Sequence, residues 1–160
     1  MNLQEQIIKK AEEYRDYTAN NLSLMVKAKS YSSKEEDVCR LIVKLCQEAG
    51  FDEVRIDGLG SVIGRVGYGP KVIAFDAHID TVEVGNMKNW TFDPFCGDVK
   101  DGLVYGRGTS DQKGGAASMI TAGRILKELG YAGEYSVYFT FTVMEEDCDG
   151  MCWKYLIEEE

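Results

Sequence analysis

Residues 72–80, VIAFDAHID, constrain the fold more than any other stretch of the chain. Four apolar residues, Val72-Ile73-Ala74-Phe75, run straight into Asp76, His78 and Asp80. A short apolar run rich in β-branched residues predicts a buried strand, and polar side chains at its end are costly unless they have partners. His78 is the only histidine present. In extended backbone, residues two apart project to one side, which places His78 and Asp80 on one face. Such a pair suits an imidazole that binds a metal through one nitrogen while a carboxylate steadies the ring at or near the other.

The remaining sequence reads as a single domain. Its 160 residues are enough for one core and short for two. A net charge of −9 argues against a nucleic-acid or anionic-membrane footprint. No apolar run approaches the roughly 20 residues that span a bilayer. MNLQEQIIKKAEEY is amphipathic and lacks the apolar core of a secretory signal, so the expected location is cytoplasmic. Five cysteines without a CxxC pair predict reduced thiols, with Cys39 and Cys46 at core spacing and Cys148 and Cys152 near an acidic cluster.

Periodicity orders the elements. Leu3 to Val26 predicts a surface helix. Ser33 with Glu36 fits a capping box for a helix carrying Val38, Leu41, Ile42, Leu45 and Ala49, with Gly50 as its C-terminal cap. Glu53–Asp57 and Ser61–Val66 predict strands joined through Gly58-Leu59-Gly60, and Lys71–Ala77 the buried strand. Residues 79–98 predict a long loop, and Asp101-Gly102 a hairpin turn. A helix through Met119, Ile120, Ile125 and Leu129 stops at Gly130. Tyr135–Met144 predicts a last strand, and a final helix begins near Gly150. This alternation argues for an α/β sandwich around a central sheet.

Three polar points each follow an apolar strand or a glycine-rich turn: His78 with Asp80, then Asp111, then Glu145 with Glu146. Ligand sites in open α/β sheets collect beyond the carboxyl ends of strands, so these points converge in one plausible fold. One histidine plus several carboxylates suits a divalent ion such as zinc, manganese or cobalt. Each piece alone has a plain structural reading: a satisfied buried pair, a helix cap at Asp111, a solvated strand end at Glu145-Glu146. Residues 145–150 lack the alternating ligands of a calcium loop, and Gly106-Arg107-Gly108 lacks the third glycine of a dinucleotide fingerprint. Trp90, Phe92 and Phe95 either line a cleft or pack, and Arg107 is expected to pair with an acid.

HIDTV (78–82), DPF (93–95), YGRGTSD (105–111) with Lys113-Gly114-Gly115, and Glu145-Glu146 together resemble the co-catalytic zinc aminoacylase family. That family includes acetylornithine deacetylase, succinyl-diaminopimelate desuccinylase and glutamate carboxypeptidase. Within that family, IDTVEVGNMKNWTFDPF, GRGTSDQKGG and EEDCDGMCW resemble its selenium-metabolism-linked hydrolases. The resemblance implies a three-layer α/β/α domain with a mixed central sheet, two zinc ions per complete site (manganese or cobalt as alternatives), and amide substrates such as N-acyl amino acids or short peptides. It implies that His78 and Glu146 each ligate one metal and Asp111 bridges the two. It further implies that Asp80 orients His78 and that Glu145 is the general base. Aminopeptidase or carboxypeptidase activity is the alternative to deacylation, and an inactive metal-binding or interaction fragment is the alternative to an enzyme.

The family pattern continues past Glu160 into a further acidic ligand, a lid or dimerisation domain and a late histidine. The expectation is therefore an N-terminal part of a catalytic domain over residues 1–160, with homodimerisation possible only when the missing domain is present. Glu158-Glu159-Glu160 at a helix's carbonyl end, with no stop signal after Gly150, agrees with that expectation.

Overall fold

The computed structural model describes residues 1–148 and 150–160. Asp149, within the EEDCDGMCW stretch, lies outside the described residues. The chain order is α1 (Leu3–Glu13), α2 (Arg15–Lys27), α3 (Glu36–Glu48), β1 (Glu53–Ile56), β2 (Val62–Val66), β3 (Lys71–His78), β4 (Val99–Lys100), β5 (Leu103–Val104), α4 (Gly114–Glu128), β6 (Tyr135–Thr142), α5 (Glu145–Cys148) and α6 (Met151–Glu159). The main sheet has the order β1-β2-β6-β3, and β4-β5 form a separate hairpin. β1, β2 and β6 pair antiparallel, while β3 pairs parallel with β6, so the sheet is mixed.

Alternation along β6 explains the layers. Val137, Phe139 and Phe141 face a core shared with Val62, Val66 and Ala77 of the sheet, Ile42 and Cys46 of α3, and Ala117 and Ile120 of α4. Helix α4 comes close because Gly123 and Gly64 leave room for the Phe51 ring. A Cβ at Gly123 would stand 2.2 Å from that ring, and one at Gly64 would stand 2.6 Å from it. On the opposite face, Thr140 and Thr142 donate to Asp76, and the buried Cys152 of α6 lies near Thr142.

Several expectations need correction. The first helix is two, broken at Tyr14, whose ring turns toward α4; its hydroxyl donates to Glu128 and Arg124 stacks over it. The capping box over Ser33 and Glu36 does not form, because Ser33 has φ 66° and α3 begins only at Glu36 with no side-chain cap. The box is found instead at Asn2 and Glu5. β3 is not buried along its length: it is the last strand of the sheet, and Val72 is 67% and Phe75 48% exposed. Only Ala77 and His78 at its end are enclosed. The glycine cap at Gly50 (φ 82°), the β1-β2 pair, the hairpin and the five free thiols are as expected. Among the described residues no helix is long and apolar enough to cross a membrane.

Candidate metal centre

Parallel pairing builds the site. In the β3–β6 register His78 stands opposite Thr142, so both strands deliver their following residues at the same end of the sheet. Those residues are Asp80 on one side and Glu145-Glu146 on the other. The third contribution comes from an irregular turn, Thr109–Lys113, ahead of α4. Lys113 N–H closes it onto Gly108 O (2.9 Å). Gly108 (φ 82°) lets the turn press against Thr81, where a Cβ would fall 2.5 Å from the Thr81 methyl. The buried Lys113 ammonium donates to Met25 O (2.9 Å) and Ala28 O (3.1 Å), anchoring the turn to the carbonyl end of α2, where positive charge is favoured. Burial holds the Lys113 amine down at about 8.

His78, Asp111 and Glu146 each offer one ligand atom within 4.8 Å of the others. His78 Nε2 is 2.9 Å from Asp111 Oδ1 and 3.8 Å from Glu145 Oε2. On the other edge of the ring, Nδ1 lies 3.3 Å from Asp80 Oδ1 and 3.2 Å from Asp80 O. Asp80 is fully buried and does more than face the histidine. Its Oδ1 accepts from Glu145 N–H and its Oδ2 from Glu146 N–H, both at 3.1 Å, and Oδ2 also accepts from the Ser32 hydroxyl at 2.6 Å. One carboxylate thus joins the two halves of the site.

Electrostatics favour a cation here. Burial alone would lower His78, but Asp80 and Asp111, with Glu145 nearby, push it up to about 9. Burial would raise Asp80, yet its bonds from His78, Ser32 and the two backbone amides hold it below the usual carboxylate range. Glu146 is raised, first by burial and then by the Asp111 charge, with Val82 N–H opposing. Four carboxylates around one imidazole is an excess of negative charge, and a nitrogen-plus-carboxylate donor set fits a divalent metal such as zinc, manganese or cobalt. Asp111 is not used as a helix cap: α4 has no side-chain cap, and the carboxylate, 75% exposed, points to His78 and open space.

Of the other residues singled out, Trp90, Phe92 and Tyr105 pack edge to face, and Trp90 Nε1–H donates to Val84 O (2.9 Å). Phe95 packs on Tyr31. Arg107 has no carboxylate partner among the described residues; it lies over the Trp90 ring (5.2 Å) and reaches Glu83 O, because the 79–98 loop offers an aromatic face rather than an acid. Sequence reasoning missed Ser32, Glu35 and the anchoring role of Lys113. Their hydrogen bonds span 48 to 109 residues, which no local pattern reveals.

Known proteins match at each level. The chain is 50% identical over 153 residues to the uncharacterized protein YgeY of Escherichia coli (strain K12), covering 96% of this chain and 38% of that protein. It is 33% identical over 129 residues to the succinyl-diaminopimelate desuccinylase of Acinetobacter baylyi, covering 79% of this chain and 34% of that enzyme. The fold superposes on human carnosine dipeptidase 1 with a TM-score of 0.85 at 20% identity, over 100% of this chain and 38% of that one. The chain therefore spans less than two fifths of the length of these relatives. Residues 74–160, which include every candidate ligand above, match the family described as peptidase family M20/M25/M40, and with this match covering more than half of it the chain belongs to that family.

Proposed function

We propose that this chain is the N-terminal part of the catalytic domain of a metal-dependent hydrolase that cleaves amide bonds in N-acyl amino acids or short peptides. The lid or dimerisation domain belongs to the rest of the protein. The observation that carries this reading is the meeting of His78, Asp111 and Glu146 at the shared end of β3 and β6, with Glu145 beside them.

The residue roles follow from the surroundings. His78, Asp111 and Glu146 would hold the metal ions, zinc with manganese or cobalt as alternatives, and Asp111 would serve both ions. Bound there, the ions would lower the pKa of a water and polarise the scissile carbonyl. Asp80 keeps the His78 ring turned with Nε2 toward the site. Glu145 takes a proton from the attacking water and returns it to the leaving amine. Adjacent glutamates divide the work: one holds a cation while its neighbour stays free to move a proton. Deacylation and dipeptide cleavage both break an amide bonded to an amino acid, so this half of the site serves either, and the substrate's remaining groups are gripped elsewhere.

The test joins residues 1–160 to the remaining sequence of the E. coli relative and assays N-succinyl and N-acetyl amino acids and dipeptides with zinc, manganese or cobalt. Hydrolysis is expected in the joined protein, and Glu145→Ala should abolish turnover while bound metal is kept. Loss of metal in that variant would move Glu145 into the ligand set. Equal activity in the isolated chain would refute the partial-domain reading, and no hydrolysis of any amide would favour a binding module.

A further inference from the structure

Residues 28–35, between α2 and α3, form a strap along the base of the site. The Ser30 hydroxyl donates to Ile79 O (2.7 Å), and Thr81 N–H donates to Ser30 O (2.8 Å). Tyr31 bridges to Thr81, and the Ser32 hydroxyl donates to Asp80. The strap thus follows the backbone on both sides of Asp80. At its far end stands Glu35, 6% exposed. Glu35 immediately precedes α3 but caps nothing in it. Its Oε1 instead accepts from Ser33 N–H and from Met144 N–H, each at 3.0 Å. Met144 is the residue before Glu145 and has φ 58°, a left-handed conformation that a methionine holds only when its surroundings impose it.

We infer that Glu35 is a positioning residue: carried on the strap that also holds Asp80 through Ser32, its carboxylate fixes the turn at Met144 and so sets where Glu145 and Glu146 stand relative to His78 and Asp111. This rests on the metal-centre reading above. Glu35 itself touches none of the candidate ligands; it acts through the backbone amide of Met144. One oxygen makes both bonds, so the role needs an acceptor at full side-chain reach and does not need the charge.

That last point separates positioning from other roles. In the 160-residue chain, Glu35→Gln keeps a carbonyl oxygen at the same reach, and Glu35→Asp keeps the charge but is one methylene short of Met144 N–H. Each variant is titrated with Co²⁺ alone, reading affinity and the visible d–d absorption at saturation. The Gln variant is expected to bind as the parent does. The Asp and Ala variants are expected to bind about 10- to 100-fold more weakly, as outer residues of metal sites do, with an altered d–d band. A residue important only for folding would lower the melting temperature of the Asp variant and leave the saturated band unchanged. If the Ala variant fails to fold, the Gln–Asp contrast decides alone. An Asp variant that binds like the parent, or a Gln variant as weak as Asp, overturns the role of Glu35 while the metal centre stands. Undiminished Co²⁺ binding in His78→Ala removes the metal centre, and the role of Glu35 with it.

Discussion

Replacing Asp80 with asparagine probes the joint between the two halves of the site. Asp80 presents two oxygens to four donors: His78 Nδ1 and Glu145 N–H on Oδ1, and Glu146 N–H and the Ser32 hydroxyl on Oδ2. Asparagine offers one oxygen and one NH₂ in the same volume. Whichever way it turns, one backbone amide of the Glu145-Glu146 pair meets another donor. The loss of that charge-assisted bond costs about 1.5–3 kcal/mol. The imidazole responds as well. A buried ring raised from its ordinary value near 6.5 to about 9 reflects about 3 kcal/mol of preference for the protonated form. Because the folded value lies above the unfolded one, this contribution is complete below about pH 6.5 and is lost as pH rises through about 9. Asp80→Asn removes the carboxylate contributing most to that rise, so the ring should titrate well below 9. The chain has a single histidine, so one imidazole resonance followed by NMR in chelator-treated protein reads the value directly. Urea melts at pH 6 should show the variant less stable by a few kcal/mol. An unshifted histidine titration would show that Asp80 does not hold the ring.

Two further perturbations test the frame around the site. Gly123→Ala drives a methyl into the Phe51 ring wedged between α4 and β2, and overpacking should cost about 1–3 kcal/mol in thermal or urea melts; unchanged stability would mean that the ring has another place to go. Glu128, lowered to about 2 by Lys10, then Tyr14 and Arg124, ties α1 to α4. Its contribution is present above the ordinary glutamate range and is lost as pH falls through about 2. Glu128→Gln should therefore destabilise the protein at pH 7 by about 1 kcal/mol or less, given its partial exposure, and the difference should shrink as pH falls from the ordinary glutamate range through about 2; equal stability of the two proteins at pH 7 would remove the cluster as a clamp.

Much of this arrangement is legible in the sequence. Period-two and period-3.6 patterns locate β2, β6, α3 and α4 because those elements each turn one apolar face to a common core. The same patterns misplace β3, since an apolar run marks a strand without saying whether it has neighbours on both sides. A serine and glutamate three apart suggested a cap at Ser33, yet the buried acceptor is Glu35, drawn away from the helix by the amide of Met144. His78, Asp111 and Glu146 are readable as polar residues at element ends. Their meeting depends on the parallel register that sets His78 against Thr142, a pairing 64 residues long that no local window contains. Arg107 was misread for a similar reason: its neighbour, the Trp90 ring, comes from a loop with no period of its own.

The parallel pairing of β3 with β6 also brings together residues made far apart in time during synthesis. Glu146 leaves the ribosome 68 residues after His78. At ordinary elongation rates of about 5–20 residues per second, the two halves are separated in time by roughly 3 to 14 s. Throughout that interval the nascent chain carries the histidine without its glutamates, and the crossover through α4 must close before they meet. Assembly of the His78, Asp111 and Glu146 cluster is therefore a late event of folding in this architecture. A divalent ion present early would meet only His78 and the carboxylates already emerged, and the native geometry would have to displace that first, looser grip.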